Sequence, residues 1–593
     1  MDLTTATICR RIDVLAHGVV MCLAWALLTV AAGCRQRDES TPALAFSPAE
    51  ERVVFHSQDQ PWFIDVASSH GLDFIHDAGE VDGNYFLPQV LGSGAAVFDF
   101  DGDGRMDLYI VQNGGPGSTT NRLYRCQDDG RFVDVTAGSG LDIADYGMGA
   151  AAGDVNNDDH PDLYFTSYGA DRLLLNDGDG HFTDVTAKAG LDNALWGTSA
   201  SFLDFDRDGR LDIVVANYIA YDRTWQCRPT NGRREYCHPK RFPGAVTRLY
   251  HNRTEAGSRS VAFADVTIAS GLGRLDTRGL GVACADFDGD GWPDIFVAND
   301  AGPNRLWVNR HDGTFEDEAL LRGIAYDVDG HAAGNMGIAW GDIDGDGAAD
   351  LLVTHLTDER HTLWRHYQPG QFQDRSAAAG LLSSSMRGTG FGVVTADFDL
   401  DGWLDAAIVH GRVSQRAASG DEQPHWSRFA ERNQLLAGDG AGRLLDISAA
   451  NEPFCGPLGV YRGLAFLDFD DDGALDLLVT AVAGPALLYR NVAPRRGHWL
   501  KVRAYDPRLR RDAFGAVITV SAGKRSWVRH LLPGQSYLCS HEPRAHFGLG
   551  EATEIDELRV VWDDGAVELF DAPTVDCPMT LNRGSGRLQA SAP

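Results

Sequence analysis

One nine-residue pattern, D-x-D-x-D-G-x-x-D, constrains the fold of this chain more than any other feature. It begins at Asp99, Asp204, Asp286, Asp342, Asp397 and Asp468, and a variant at Asp154 has Asn156 at position 3 and Asp159 in place of Gly. The starts lie 50–56 residues apart except across two longer gaps. Repetition at such a period marks a stack of similar supersecondary units. In the first unit, Ala95-Ala-Val-Phe precedes the acidic loop and Leu108-Tyr-Ile-Val follows it. Asn121-Arg-Leu-Tyr-Arg, the turn Asp128-Asp-Gly and Arg131-Phe-Val-Asp-Val-Thr complete it. These are four short β segments, here A to D, and four strands per repeat is the pattern of a propeller blade.

Counting each segment type tests whether the ring closes. C segments recur at Asp171, Thr247, Asn304, His361, Asn433 and Ala486, seven with the first. D segments follow only six of them, and the seventh, Trp62-Phe-Ile-Asp-Val-Ala, stands ahead of the first blade. The expected fold is therefore all-β: a seven-bladed propeller over 61–492 whose N-terminal strand completes the last blade and removes an open sheet edge.

Alternating carboxylates in a tight loop suit calcium, which takes about six to eight oxygen ligands in a flexible shell. Positions 1, 3, 5 and 9 would give side-chain oxygens, position 7 its carbonyl, and Gly at 6 the sharp bend. The predicted ligand sets are Asp99, Asp101, Asp103, Arg105 and Asp107; Asp154, Asn156, Asp158, His160 and Asp162; and Asp204, Asp206, Asp208, Arg210 and Asp212. The later blades give Asp286, Asp288, Asp290, Trp292 and Asp294; Asp342, Asp344, Asp346, Ala348 and Asp350; Asp397, Asp399, Asp401, Trp403 and Asp405; and Asp468, Asp470, Asp472, Ala474 and Asp476. Up to seven Ca2+ ions are expected. An EF-hand would need Glu at position 12, where this chain has Ile110, Phe165, Val215, Val297, Val353, Ile408 and Val479.

The loops and their Phe-x-Asp-Val-Thr strands resemble FG-GAP/VCBS repeats of integrin-type propellers. His498-Trp-Leu-Lys-Val, Arg511-Asp-Ala-Phe-Gly-Ala-Val, Pro533-Gly-Gln-Ser-Tyr, His546-Phe-Gly-Leu-Gly and Leu558-Arg-Val-Val-Trp resemble the C-terminal ASPIC/UnbV module of the cartilage acidic protein family. The resemblance runs from about Trp62 to Leu581 and implies calcium binding and an extracytoplasmic interaction role, without a defined reaction. The chain departs from the family's pattern at Leu538-Cys539, where a polar residue is more usual. Apolar runs alternating with Gly turns over 496–585 predict a small sandwich-like β domain, with a tail over 586–593.

Residues 1–34 read as an export signal: Arg10-Arg11, an apolar run over Val19–Val30 too short to span a bilayer, and Ala31-Ala-Gly before Cys34. The last four resemble a bacterial lipoprotein cleavage box, which implies lipidation of Cys34; ordinary signal cleavage is the alternative. Residues 35–60 read as a linker. The expected location is the cell envelope or the exterior, with membrane contact only through that lipid. A formal charge of −32 argues against nucleic acid as a partner. In an exported chain Cys227 and Cys237 form a candidate disulfide, and Cys539 with Cys577 a weaker one.

Both long gaps fall between strands B and C, on the face opposite the acidic loops, and insertions on one face often mark a binding face. They are basic and aromatic, with Trp225, Arg228, Arg233, Arg234 and Tyr236 in blade 3 and Arg412 and Trp426 in blade 6. That chemistry predicts a protein or acidic glycan partner for a monomeric binding or adhesion module. The alternative is a carbohydrate-active lyase or dehydratase, for which His76, His238, His331, His355 and His410 are the candidate acid–base residues. No G-x-S-x-G or phosphate-loop motif supports catalysis, and the binding module is the favoured reading.

Overall fold

The computed structural model describes residues 60–228, 234–255, 258, 260–384, 387–415, 424–494 and 497–589. Seven four-stranded antiparallel sheets follow in chain order. Blade 1 runs Ala95–Phe98, Asp107–Ile110, Arg122–Cys126 and Phe132–Asp134 as strands A to D. Blade 7 consists of Tyr461–Leu467, Asp476–Ala481, Leu487–Asn491 and, as its outermost strand, Phe63–Asp65 from the start of the propeller. Phe63 stands opposite Asn491 and Asp65 opposite Tyr489. The Trp62 N–H also donates to Asn451 Oδ1 at 2.6 Å. The expected seam is present.

The local sequence explains each strand. Strands B are buried on both faces between neighbouring blades, so Asp212–Asn217 and Asp294–Asn299 carry continuous apolar runs rather than an alternation. Strands D alternate: Phe132, Phe182 and Phe263 enter the core and the residues that follow face outward. The Asp of each Phe-x-Asp-Val-Thr caps the next turn, as where Asp134 and Asp265 each accept the N–H two residues on at 2.9 Å. The Thr hydroxyl then accepts a strand C amide, Leu123 N to Thr136 and Leu249 N to Thr267. A five-residue signature thus ties D to C and shapes the exit from the blade.

The C-terminal module is two facing sheets. One holds Arg511–Asp512, His498–Asp506, Ala545–Gly550 and Cys577–Asn582, the last parallel to His498–Asp506. The other runs Arg525–His530, Val517–Ala522, Glu557–Val561, Val567–Phe570 and Arg587–Leu588. Leu500, Val502, Phe547, Ile518, Leu558 and Trp562 fill the space between them.

One segment of this module leaves its sandwich and enters the hub of the propeller. Cys539–Ser540 pairs in parallel with Ala95–Ala96 of blade 1, and Leu538 O accepts the Ala150 amide of blade 2 at 3.4 Å. Leu538 N donates to Ser199 Oγ of blade 3 at 3.0 Å, and Leu532 packs into the core shared by blades 4 and 5. Ser536 exchanges two backbone hydrogen bonds with Ile338 of blade 5, and its Oγ accepts Val393 N of blade 6 at 3.1 Å. Glu542 Oε2 accepts Asp468 N of blade 7 at 2.9 Å. The plug thus touches every blade. Its close approach explains two glycines: a Cβ on Gly94 would stand 2.3 Å from Leu538 O, and one on Gly463 2.7 Å from Cys539 Sγ. It also explains the apolar Leu538-Cys539, which are 1% and 5% exposed inside the hub. Cys539 and Cys577 are separate thiols, because the plug carries the first away from the sandwich strand that holds the second.

At the other end the hub is closed by the D–A connection ahead of blade 1. Its one-turn helix Pro88–Leu91 is fully buried. Tyr537 OH donates to Leu91 O at 3.1 Å, so the two closures meet. Arg462, fully buried on strand A of blade 7, donates to Val90 O, Gly411 O and Tyr461 O at 2.6–2.9 Å and stacks on Phe391 at 3.8 Å. Burial lowers its pKa to about 9.

Candidate metal-binding loops and the two faces of the propeller

Each acidic loop is built by the same bonds. The position 1 carboxylate accepts the amides of positions 5 and 6, as Asp99 does from Asp103 and Gly104 at 3.0 and 2.8 Å. The position 5 carboxylate accepts the position 7 amide, from Arg105 N to Asp103 in blade 1 to Ala474 N to Asp472 in blade 7, both at 3.0 Å. Position 9 accepts one amide from position 2 and one from the end of strand C; Asp107 takes Phe100 N and Cys126 N at 3.1 and 2.8 Å. The same pair recurs at Asp212 and Asp476. Asp159, where the other loops have Gly, takes the same left-handed conformation at φ 79°, close to the 92° of Gly104. Its carboxylate accepts the Tyr505 hydroxyl at 3.0 Å.

Carboxylate oxygens of Asp99, Asp101 and Asp107 lie within 4.8 Å of one another, as do those of Asp204, Asp206 and Asp212, and of Asp286, Asp288 and Asp290. Burial, reinforced by the neighbouring carboxylates, pushes Asp107 up to about 8. The same causes raise Asp162 and Asp294 well above the usual carboxylate range. A second observation bears on a cation. At position 3 one oxygen is buried and without a hydrogen-bond partner in four loops: Asp101, Asn156, Asp206 and Asp470 Oδ1. An unpartnered buried oxygen is costly. Its recurrence at one motif position, beside two further carboxylates in blades 1 and 3, fits a hard oxygen-seeking ion.

Strand C supplies a feature that the motif did not reveal. Its fourth residue is cationic in four blades and reaches the other oxygen of the position 3 carboxylate, or its counterpart, across the loop. Arg125 meets Asp101 at 2.6 Å, His251 meets Asp206 at 3.1 Å, Arg365 meets Asp344 at 2.8 Å, and Arg490 meets Asp470 at 2.6 Å. Hydrogen bonds to Asp206 and Asp208 raise His251 to about 9. The fourth letter of Arg-Leu-Tyr-Arg was the available signal.

The C-terminal module covers this acidic face with cations. Lys501 Nζ, 1% exposed at its side chain, lies 2.8 Å from Asp468 and 2.7 Å from Asp471. Arg525 stacks on Trp403 at 3.6 Å and also donates to Gly402 O, which Trp527 Nε1 reaches at 3.0 Å. Arg544 donates to Gly104 O at 2.8 Å and Arg510 to Asp158 O at 2.9 Å.

The opposite face is aromatic. The Cys227–Cys237 disulfide forms, with Cα atoms 5.2 Å apart, and braces the blade 3 insertion. Tyr236 is buried, edge-on to Tyr85 at 5.2 Å, and Tyr221 meets Phe86, Trp196 and Phe242 within 6 Å. Several of the expected basic residues are engaged within the fold. Arg234 donates to Gly83 O at 3.0 Å and Gln226 Oε1 at 2.7 Å, and Arg412 pairs with buried Glu431 at 3.2 Å. Trp225 is 49% exposed, Arg228 is exposed, and Trp426 is half-buried against the aromatic cluster. Arg233 and Cys34 lie outside the described residues.

The five candidate histidines do not converge. His76 accepts Ala483 N at 3.2 Å and burial lowers its pKa to about 3; His238 accepts Lys240 N at 3.2 Å; His331 stands 3.6 Å from Asp327. His355 and His410 flank His361, with His361 Nε2 3.3 Å from His410 Nε2. Because His361 Nδ1 accepts His355 N, its Nε2 carries the hydrogen and donates to His410, whose Nδ1 donates to Arg432 O at 2.7 Å. Hydrogen bonding alone accounts for this pair. Among the described residues no helix is long and apolar enough to cross a membrane.

Comparison with known proteins matches the FG-GAP-like repeat at 99–165, 154–215 and 286–353, and the ASPIC and UnbV model at 506–588. Human cartilage acidic protein 1 is 30% identical over 331 residues, 54% of this chain and 46% of the relative. The mouse protein is 27% identical over 494 residues, 81% and 71%, and that of Xenopus tropicalis 30% over 339 residues, 55% and 48%. The aligned region thus spans about half the length of the human and frog relatives. A solved structure of an Agrocybe aegerita lectin overlaps 65% of this chain and 84% of its own at 14% identity, with a TM-score of only 0.37. With repeats and module matched in that order, the chain is a propeller of FG-GAP-like repeats followed by an ASPIC and UnbV domain, and it is similar to the cartilage acidic proteins.

Proposed function

We propose that the protein is an exported calcium-stabilised binding module whose acidic loops each hold Ca2+ and whose B–C loop face engages a protein or acidic glycan. The observation that carries the calcium reading is the position 3 oxygen left without a partner among the described residues in four loops, which in blades 1 and 3 lies within 4.8 Å of carboxylates of positions 1 and 9. Positions 1, 3, 5 and 9 would be the side-chain ligands. Calcium would supply the positive charge that lets buried acids such as Asp107 and Asp212 ionise, pinning each A–B hairpin. Titration calorimetry of metal-free protein tests this: several equivalents of Ca2+ should bind, with much weaker binding of Mg2+. Absence of calcium uptake by folded protein rejects the reading.

For the partner, half-exposed Trp225, exposed Arg228 and the Trp426 edge form the aromatic and cationic surface that remains on the insertion face. The apolar run Val19–Val30 supports export, and the resemblance of Ala31-Ala-Gly-Cys34 to a lipoprotein cleavage box supports a lipid at Cys34 over ordinary signal cleavage. Pull-down and glycan-array profiles of wild type against Trp225→Ala with Arg228→Ala test the surface. Identical profiles exclude it.

A further inference from the structure

A cavity of about 330 Å³ lies between the acidic loops of blades 1 and 2 and the C-terminal module. One wall is apolar, with Phe98, Met106 and Phe514, the first two buried. The module supplies the rest of the chemistry: Arg510, Arg511 and Arg544 line the cavity, and so does His541 at the exit of the plug.

His541 is 1% exposed, stacked on Phe466 with ring centroids 4.5 Å apart. Its Nδ1 lies 3.4 Å from Phe466 N, which can only donate, so Nε2 carries the hydrogen. That Nε2–H has no acceptor among the described residues. Arg511 is 3% exposed; Nε donates to Asn157 Oδ1 and Nη1 to Asp512 O, while Nη2 makes no hydrogen bond and stands 3.9 and 3.8 Å from Asp204 and Asp563. The buried His541 N–H without an acceptor, beside a buried guanidinium and an apolar wall, describes a binding site.

The acids in the wall have partners, apart from the Asp101 Oδ1 that the calcium reading assigns to the ion. Asp512 takes Arg503 Nε at 2.5 Å, Asp101 takes Arg125, and Asp159 takes Tyr505 OH. Asp99 and Asp154 accept loop amides. Each calcium ion in the two loops would add two positive charges to the same wall, so the inference rests on the calcium reading above. We propose that this cavity binds a small organic acid with an apolar body. Its carboxylate would accept from the His541 Nε2–H and the arginines, and its body would lie on Phe98 and Met106. The volume admits a molecule no larger than a substituted aromatic acid.

Phenylacetate and its uncharged analogue 2-phenylethanol are the probes, titrated into full-length protein whose calcium content is measured on the same sample. Phenylacetate should bind calcium-loaded protein at least tenfold more tightly than 2-phenylethanol, and more tightly than glucuronate, which lacks the apolar body. His541→Phe, which keeps the stack and removes the N–H, should weaken it at least tenfold. Arg510→Gln, at an exposed rim position, should also weaken it, with melting shifted only by the loss of one exposed hydrogen bond to Asp158 O. Calcium uptake without selective phenylacetate binding overturns the cavity assignment and leaves the calcium reading standing. Absence of calcium uptake overturns both. Equal binding by wild type and both variants places the acid elsewhere and also overturns the assignment.

Discussion

The two ends of the propeller are closed by opposite chemistry. On one, the Asp-rich loops meet cations of the C-terminal module: Lys501 pairs with Asp468 and Asp471, while Arg510, Arg525 and Arg544 donate to loop carbonyls beside the carboxylates. On the other, Tyr85, Phe86, Tyr221, Tyr236 and Trp196 pack edge to face, and the arginines serve as donors to loop carbonyls and buried acids. The first end should therefore respond to ions and the second to the loss of packed surface.

Chelation should break this contrast most visibly. A site held at a hundredfold excess over its Kd contributes about 2.7 kcal/mol to the folded state. Loss of several such sites should lower the melting midpoint by more than about 10 °C. Calorimetric melts with and without chelator measure it, and equal midpoints would mean that the acidic end is held by side-chain cations alone.

Lys501→Ala is the next largest effect. In chelated protein it leaves Asp468, on which the ammonium rests at 2.8 Å, buried with no cation beside it, a loss of about 3–5 kcal/mol in urea titration. Leu538→Ala should cost about 2–5 kcal/mol, since the hub cannot collapse around a shortened plug. If Leu538→Ala loosens the propeller and leaves the sandwich melting unchanged, the plug belongs energetically to the hub.

These two positions also show what was legible. The acidic loops, the four-strand unit and the displaced D strand were readable because they repeat: each copy checks the others, and a missing strand in one place called for a spare in another. The plug occurs once. Pro533-Gly-Gln-Ser-Tyr-Leu-Cys-Ser has the look of a surface turn, and nothing local announces partners at Ser199, Ile338 and Val393. The engagement of the basic insertions was hidden for the same reason, because Gly83 O, which accepts from Arg234, lies far along the chain, and only the folded blade turns Arg412 onto Glu431.

Smaller effects sharpen the aromatic end. Burial holds His355 neutral, with its pKa lowered to about 4. Between that value and the unfolded one near 6.5 only the unfolded chain takes up the proton. His355 therefore contributes stability above about pH 6.5 that is lost as the pH falls toward 4, at about 1.4 kcal/mol per pH unit. Relative to His355→Leu, wild type should lose that increment in urea titrations from pH 6 to pH 4.5; parallel curves would mean an imidazole open to water. Trp225→Ala should change stability by less than about 1 kcal/mol, because half the ring is already in solvent. Any larger loss would show that the insertion is held by this ring and is not merely displaying it.

The strand that completes blade 7 is made first and used last. Trp62 finds Asn451 only across 389 residues of intervening chain. During synthesis the ring must therefore stand ajar while six sheets form, with the edge of the seventh bare until both ends of the propeller can meet. A rearranged gene placing this strand just after Asn491 would make the seam local, and would separate how fast the ring shuts from how firmly it stays shut.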